Sequence, residues 1–196
     1  MKSKKQIFIG FILMNILIFL DQITKKLAVI FLKDQPAIPI MKDVFELRYL
    51  ENTSAAFGLD PVSILHHIFQ FEVFNQNPQM YLDVRMGFFY IVTVAMICVF
   101  IVAYLKIPNN KRFIYLDWIL LFFASGAIGN LIDRMSQQYV IDFLYFKLID
   151  FPIFNVADIY VTCAAFVFLG LGLFYYKDED FEMFFPSKKE KVNSIK

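Results

Sequence analysis

The chain has 196 residues but only 2 Cys and 2 His, and those scarcities narrow the chemistry at the outset. Cys98 and Cys163 fall near the middle of apolar runs, far from any polar layer, where they are expected to act as small apolar packing residues. No serine has a plausible histidine partner, which argues against a Ser–His or Cys–His nucleophile. His66 and His67 are adjacent, so on a helix they point to different faces, and no Cys or Glu stands at ligand spacing from them. Neither a metal nor any other cofactor is therefore expected. Charge is also scarce, at 19% of residues with a formal net charge of +1, and no basic stripe suggests nucleic acid. The chain has no internal repeat and no low-complexity tract.

What it has in abundance is apolar surface: 59% hydrophobic residues, 18% aromatic, and a mean hydropathy of +0.57. That composition makes a bilayer the relevant solvent. Apolar runs at about 7–32, 87–105, 113–132 and 154–175 are long enough to cross about 30 Å of hydrocarbon at 1.5 Å per residue. The expected fold is all-α: one domain over 1–196, a four-helix transmembrane bundle with outer segments at 33–86 and 133–153 and a tail at 177–196. Residues 7–20 alone would span only about 21 Å, so the first helix must continue through Asp21. With no small-x-small cleavage site after Leu20, it is expected to remain as an anchor rather than leave as a signal peptide. Lys2, Lys4 and Lys5, the basic loop 106–112, and Lys188, Lys189 and Lys191 of the tail place both termini in the cytoplasm by the positive-inside rule.

In that orientation the polar residues inside the apolar segments all meet at the outer leaflet: Asp21 and Lys25, then Asn130, Asp133 and Arg134, then Asn155 and Asp158. A charged side chain at the centre of a spanning helix costs on the order of 3 kcal/mol on insertion scales, so such residues usually have a function. Asp21 and Lys25 share a helix face, as do Gly126, Asn130 and Asp133. Gly126 and Gly129 permit close backbone approach, and with Ala55 and Ala56 they are expected to leave room for lipid chains. Asp117, near Lys111 and Arg112, is expected merely to snorkel to the cytoplasmic interface.

Two outer segments complete the pattern. Residues 44–50 alternate apolar and polar side chains as a strand does, and lead into a small-residue turn at 52–58. Asp60-Pro61 reads as an N-cap followed by proline at the first helical position. The short helix it opens has Ile64, Leu65, Ile68 and Phe71 on one side and is expected to lie on the membrane. Residues 139–147, with Asp142 in their middle, read as an extended hairpin arm.

In their order along the chain, Asp21-Gln22-Ile23-Thr24-Lys25, the stretch from Asn52 to Phe57, Gly126 through Arg134, Val140-Ile141-Asp142-Phe143 and Phe154-Asn155-Val156-Ala157-Asp158 resemble the lipoprotein signal peptidases, or signal peptidase II, of bacterial inner membranes. The resemblance covers nearly the whole chain. It implies a multi-pass membrane enzyme with a small extracytoplasmic β-rich cradle and a short interfacial helix. Its activity would be that of an aspartic endopeptidase, without cofactor, that cleaves diacylglyceryl-modified prolipoproteins just before the lipidated cysteine. The site would lie near the outer face, with membrane lipids as surroundings and a monomer as the working unit. The resemblance also implies Asp142 and Asp158 as the catalytic dyad, supported by Asp21, Lys25, Asn52, Gly126, Asn130, Asp133, Arg134 and Asn155. Asp133 and Arg134 are expected to form an ion pair that holds the arm, with Asp133 the alternative dyad member. Two features depart from the family pattern: Ser54 stands where glycine is usual, and the segment 59–85 is long, either a lid or an ornament.

Two other classes stay in view. Intramembrane carboxylates also mark small proton- or ion-coupled transporters, although the central and cytoplasmic parts of these helices carry no ladder of ionisable groups. A non-catalytic scaffold would not need paired carboxylates.

Overall fold

The computed structural model describes residues 2–54, 60–177 and 179–180. Ala55, Ala56, Phe57 and Gly58 of the expected turn, and Lys188, Lys189 and Lys191 of the tail, lie outside them. Among the described residues six α-helices and three strands follow in the order α1 (Lys4–Leu32), β1 (Ile38–Met41), β2 (Phe45–Asn52), α2 (Pro61–Phe69), α3 (Glu72–Gln76), α4 (Pro78–Lys106), α5 (Ile114–Gln137), β3 (Val140–Tyr145) and α6 (Val156–Phe174). Among the described residues α1, α4, α6 and the segment Lys111–Gln137 are long and apolar enough to cross a membrane. The four-helix expectation therefore holds, with the boundaries corrected.

The corrections have local causes. α4 begins at Pro78 rather than near 87, because Asn77-Pro78 starts a helix whose first turns carry charge that the hydropathy pattern reads as loop. Those charges are accommodated: Gln79 donates to Asp83 at 2.9 Å, and Arg85 pairs with Asp60 at 2.6 Å. α5 runs on to Gln137, and Gln138, at φ 66°, turns the chain into β3 while its N–H caps the Arg134 carbonyl at 2.9 Å. α6 starts at Val156 instead of 154. Phe154 is held in a bridge to Leu144, and Asn155 forms a capping box with Asp158. Phe71 lies beyond α2, whose last turn ends in Gln70 at φ 48°.

α5 is the central helix, with α1, α4 and α6 packed around it. Hydrocarbon is as apolar as the side chains, so no hydrophobic force drives these helices together and contact depends on close approach. At Gly126 a Cβ would stand 2.6 Å from the Ala157 carbonyl oxygen, and at Gly129 it would stand 2.5 Å from Asp21 Oδ2. Both glycines are thus filled by neighbouring helices and offer no room to lipid chains, contrary to expectation. The outward faces stay apolar and exposed, as at Phe166, Leu173 and Ile91.

At one end of the bundle Lys2 Nζ lies 2.5 Å from Asp117 Oδ2 and 4.6 Å from the Tyr104 ring centroid. Asp117 is therefore held by the partly buried start of the chain rather than snorkelling towards Lys111 and Arg112. Arg112 pairs with Asp180, and Tyr176 Oη donates to the Arg112 carbonyl at 3.2 Å, so the end of the described chain sits at this same end. At the opposite end β1, β2 and β3 form an antiparallel sheet in the order β1-β2-β3, with Leu50 opposite Asp142. Ile141 and Phe143 of β3 pack on Ala28 and Leu32 of α1. This fixes the arm on the bundle.

Gly126→Val should push α6 away from α5 and destabilise the protein by about 1–3 kcal/mol. The check is the thermal unfolding midpoint in detergent, which should fall.

Candidate active site

The opposite end of the bundle holds the acidic, amide and basic residues singled out above, in two connected layers. The lower layer is built on Lys25. Its side chain is 1% exposed, and its ammonium meets Asp21 Oδ2 at 2.9 Å, Asp133 Oδ2 at 3.0 Å and Asn130 Oδ1 at 2.8 Å. An ammonium has donors for three acceptors, and here all are used. Each carboxylate then holds a further element: Asp21 Oδ1 accepts from the Ala157 N–H of α6 at 2.9 Å, and Asp133 Oδ2 accepts from the Ile141 N–H of β3 at 3.2 Å.

Asp133 thus holds the arm as expected, but through the backbone and in partnership with Lys25; Arg134 is not its counter-ion. Arg134, the next residue along α5, takes other partners. It donates to the Ser54 carbonyl at 3.1 Å and sits over the Phe89 ring at 5.4 Å, while Tyr90 Oη donates to the Arg134 carbonyl at 2.8 Å.

The upper layer contains the other carboxylates. Asn155 Nδ2 donates to Asp142 Oδ1 at 2.6 Å and to Asn130 Oδ1 at 3.1 Å, and the Asn155 N–H donates to Asp158 Oδ2 at 3.1 Å. Asn130 Nδ2 donates to Asp158 Oδ1 at 2.9 Å, and Asn52 Nδ2 donates to Asp142 Oδ2 at 2.7 Å. These amide assignments form one consistent network, in which every carboxylate oxygen of the pair accepts. Asp142 and Asp158 line the same cavity of about 340 Å³ with Asn52, Asn130 and Arg134. Asp133 is absent from that lining and is instead engaged by Lys25, Gln22 and the Ile141 N–H. The rest of the wall is mainly apolar, with Phe146, Ile149, Phe151, Ile153 and Ile159.

Asp142 is 1% exposed. Burial, followed by the charge of Asp158, pushes its carboxyl up to about 7, against the opposing hydrogen bonds from Asn52 and Asn155. A carboxyl in that range can hold a proton at neutral pH and release it readily.

Some placements differ from the sequence reading. Cys98 and Cys163 are both exposed on the bundle's flanks rather than packed inside, and Cys163 lines the carboxylate cavity. Gly126 supports the site indirectly, by admitting Ala157 and so the N–H that Asp21 accepts. Gln22 was not among the expected site residues. Its Nε2 bridges Asp21 Oδ2 at 3.2 Å, Asp133 Oδ1 at 3.0 Å and the Gly129 carbonyl at 3.1 Å. The available signal was helical spacing, since Gln22 is three residues from Lys25 and shares its face. Among the described residues no group of three or more His, Cys, Asp and Glu is placed to hold a metal ion, and His66 instead lies against the rings of Phe71, Phe74 and Tyr81.

Replacing Lys25 with Met keeps the bulk but leaves two buried carboxylates without a cation. Such broken pairs cost about 3–5 kcal/mol. Lys25→Met should therefore lower the thermal midpoint sharply or prevent recovery of folded protein; an unchanged midpoint would contradict the role given to the ammonium.

Comparison with known proteins places the chain in a family. The family model described as signal peptidase (SPase) II matches residues 13–174. The lipoprotein signal peptidase of Caldanaerobacter subterraneus is 35% identical over 164 residues, covering 83% of this chain and 94% of the relative. That of Pelotomaculum thermopropionicum is 33% identical over 181 residues, covering 92% and 97%. A solved bacterial membrane enzyme shares the fold with a TM-score of 0.65 at 21% identity, over 88% of this chain and 93% of that one. None of these likenesses lends support to a transporter. Matched over most of its length by the family model and by relatives about one-third identical, the chain belongs to the signal peptidase II family of bacterial membrane peptidases.

Proposed function

We propose that this peptidase is of the aspartic type, that Asp142 and Asp158 are its catalytic pair, and that its substrates are prolipoproteins carrying diacylglycerol on the cysteine after the scissile bond. The observation that carries the proposal is the shared cavity: two carboxylates from different elements open into it, cross-linked through Asn155, and one of them is buried enough to hold a proton at neutral pH.

The reaction follows from one proton on the pair. Ionised Asp158 takes a proton from water as the water oxygen attacks the scissile carbonyl carbon, and protonated Asp142 gives its proton to the carbonyl oxygen. The tetrahedral diol then collapses: the C–N bond breaks, the amide nitrogen gains a proton from Asp158, and a diol hydroxyl returns one to Asp142. The pair ends as it began. Asn52, Asn130 and Asn155 keep the carboxylates in position throughout.

The substrate's lipid chains fix its depth at the membrane surface, which turns encounter with the pair into a local search. The apolar wall from Phe146 to Ile159 suits acyl chains, each buried methylene contributing about 0.8 kcal/mol. In this reading the end of the bundle that holds Lys2, Arg112 and Asp180 faces the cytoplasm, the carboxylate end faces outward, and the enzyme works as a monomer in the cell membrane. The exposed Ile64, Leu65 and Ile68 of α2 rest against lipid.

Asp142→Asn and Asp158→Asn should each leave folded protein in the membrane and lower cleavage of a lipid-modified precursor by about 10²–10⁴-fold. Near wild-type turnover in either would contradict the assignment. Activity should also be lost as pH rises: Asp142 is protonated below about 7, so the one-proton state disappears above that value and kcat/KM declines there. A pH–rate profile that stays flat to pH 9 would count against it. EDTA should leave turnover unchanged, whereas loss on chelation reversed by one divalent ion would point to a metal.

A further inference from the structure

The long segment after the second strand is tied to the carboxylate pair through a second arginine. Asp60 Oδ1 caps α2 by accepting from the Ser63 N–H at 3.0 Å, while Asp60 Oδ2 lies 2.6 Å from Arg85 Nε on α4. The side chains are 9% and 11% exposed, and the contact is an ion pair rather than an aligned hydrogen bond. The far end of the same guanidinium reaches Ser54 Oγ at 3.4 Å and Thr53 Oγ1 at 3.5 Å. Ser54 is gripped from below as well, its carbonyl accepting from Arg134. The Ser54 N–H in turn donates to Asn52 Oδ1 at 2.8 Å, which leaves Asn52 Nδ2 aimed at Asp142 Oδ2 at 2.7 Å.

We propose that Arg85 is a positioning residue for the peptidase reaction: paired with Asp60, it clasps Thr53 and Ser54 so that the Asn52 amide stays locked on the Asp142 carboxylate. The inference rests on Asp142 being one of the catalytic pair. A glycine at position 54 would offer the clasp no hydroxyl, so Ser54 and Arg85 act together. Helix α2 is carried by the same pair, because one carboxylate both caps it and anchors it to α4. The extra segment is thereby coupled to the site rather than ornamental.

Loss of the clasp has a signature that loss of packing lacks. Asn52 donates to the charged form of Asp142 and so opposes the upward push of burial and of Asp158, with Lys25 acting in the same direction as Asn52 and the Arg134 guanidinium on the same cavity. When Asn52 is freed, the Asp142 proton is held more tightly, and the alkaline fall in activity moves to higher pH.

The experiment compares Arg85→Gln, Asp60→Asn, their double mutant and Ser54→Ala, with steady-state cleavage of one lipidated peptide across pH and thermal unfolding in the same detergent. Asp60→Asn keeps an N-cap of equal quality while removing the charge. The single charge mutants should each lower kcat about tenfold with little change in KM. The double mutant should be no worse than either, since both remove one interaction. Ser54→Ala should give a smaller loss, and every variant should shift the alkaline limb upward. Wild-type kcat and an unmoved limb in Asp60→Asn and Ser54→Ala would overturn the clasp, even if Arg85→Gln fails to fold. So would losses that multiply in the double mutant. An inactive Asp142→Asn beside these wild-type results would sink the clasp alone; an active Asp142→Asn would sink the catalytic pair with it.

Discussion

A buried ammonium with its three partners holds the functional end of this protein together. Lys25 lies out of water between Asp21 and Asp133, with the Asn130 amide oxygen as third acceptor. Taking such charges out of water is expensive, and their mutual attraction compensates only with good geometry and further hydrogen bonds. Those bonds are the backbone N–H groups of Ala157 and Ile141 and the Gln22 amide. Because the acceptors come from α1 and α5 and the backbone donors from α6 and β3, a single charge cluster sets the relative height of four elements. Hydrocarbon gives helices no hydrophobic reason to choose one height over another, so polar contacts decide it.

The carboxylate pair sits directly above that cluster and inherits its order. Asn130 touches both layers, accepting from Lys25 below and donating to Asp158 above. Asn155, at the start of α6, links Asp142 to Asp158 and also caps the helix. The site is thus assembled from helix ends and the two strands β2 and β3, cross-linked by side-chain amides. The opposite end of the bundle, with Lys2 on Asp117 and Arg112 on Asp180, forms a separate polar layer across the apolar middle.

Much of this could be read from the sequence because membranes make polar residues conspicuous. Asp21 with Lys25, Asn130 with Asp133, and Asn155 with Asp158 stand out against long apolar runs, and helical spacing places each set on one face. The start of α4 was hidden for the same reason: Asp83 and Arg85 interrupt the hydropathy that marks a spanning helix, although they lie on its first turns. Pairing across helices was the other hidden layer. Asp133 and Arg134 are neighbours in sequence, yet successive residues on a helix diverge, and they take different partners. The glycines illustrate the converse. Gly126 and Gly129 indicate close approach, but only the folded chain reveals that Ala157 and Asp21 occupy the space.

The central claim is that Asp142 and Asp158 share one proton at the pH where the enzyme works. Infrared difference spectroscopy of the protein in detergent, titrated from pH 5 to pH 9, reports a protonated carboxyl directly by its carbonyl stretch. The account predicts such a band at pH 6 that fades as pH passes about 7 and is missing in Asp142→Asn. A wild-type protein with both carboxylates fully ionised at pH 6, or a band that survives the Asp142 substitution unchanged, would contradict it.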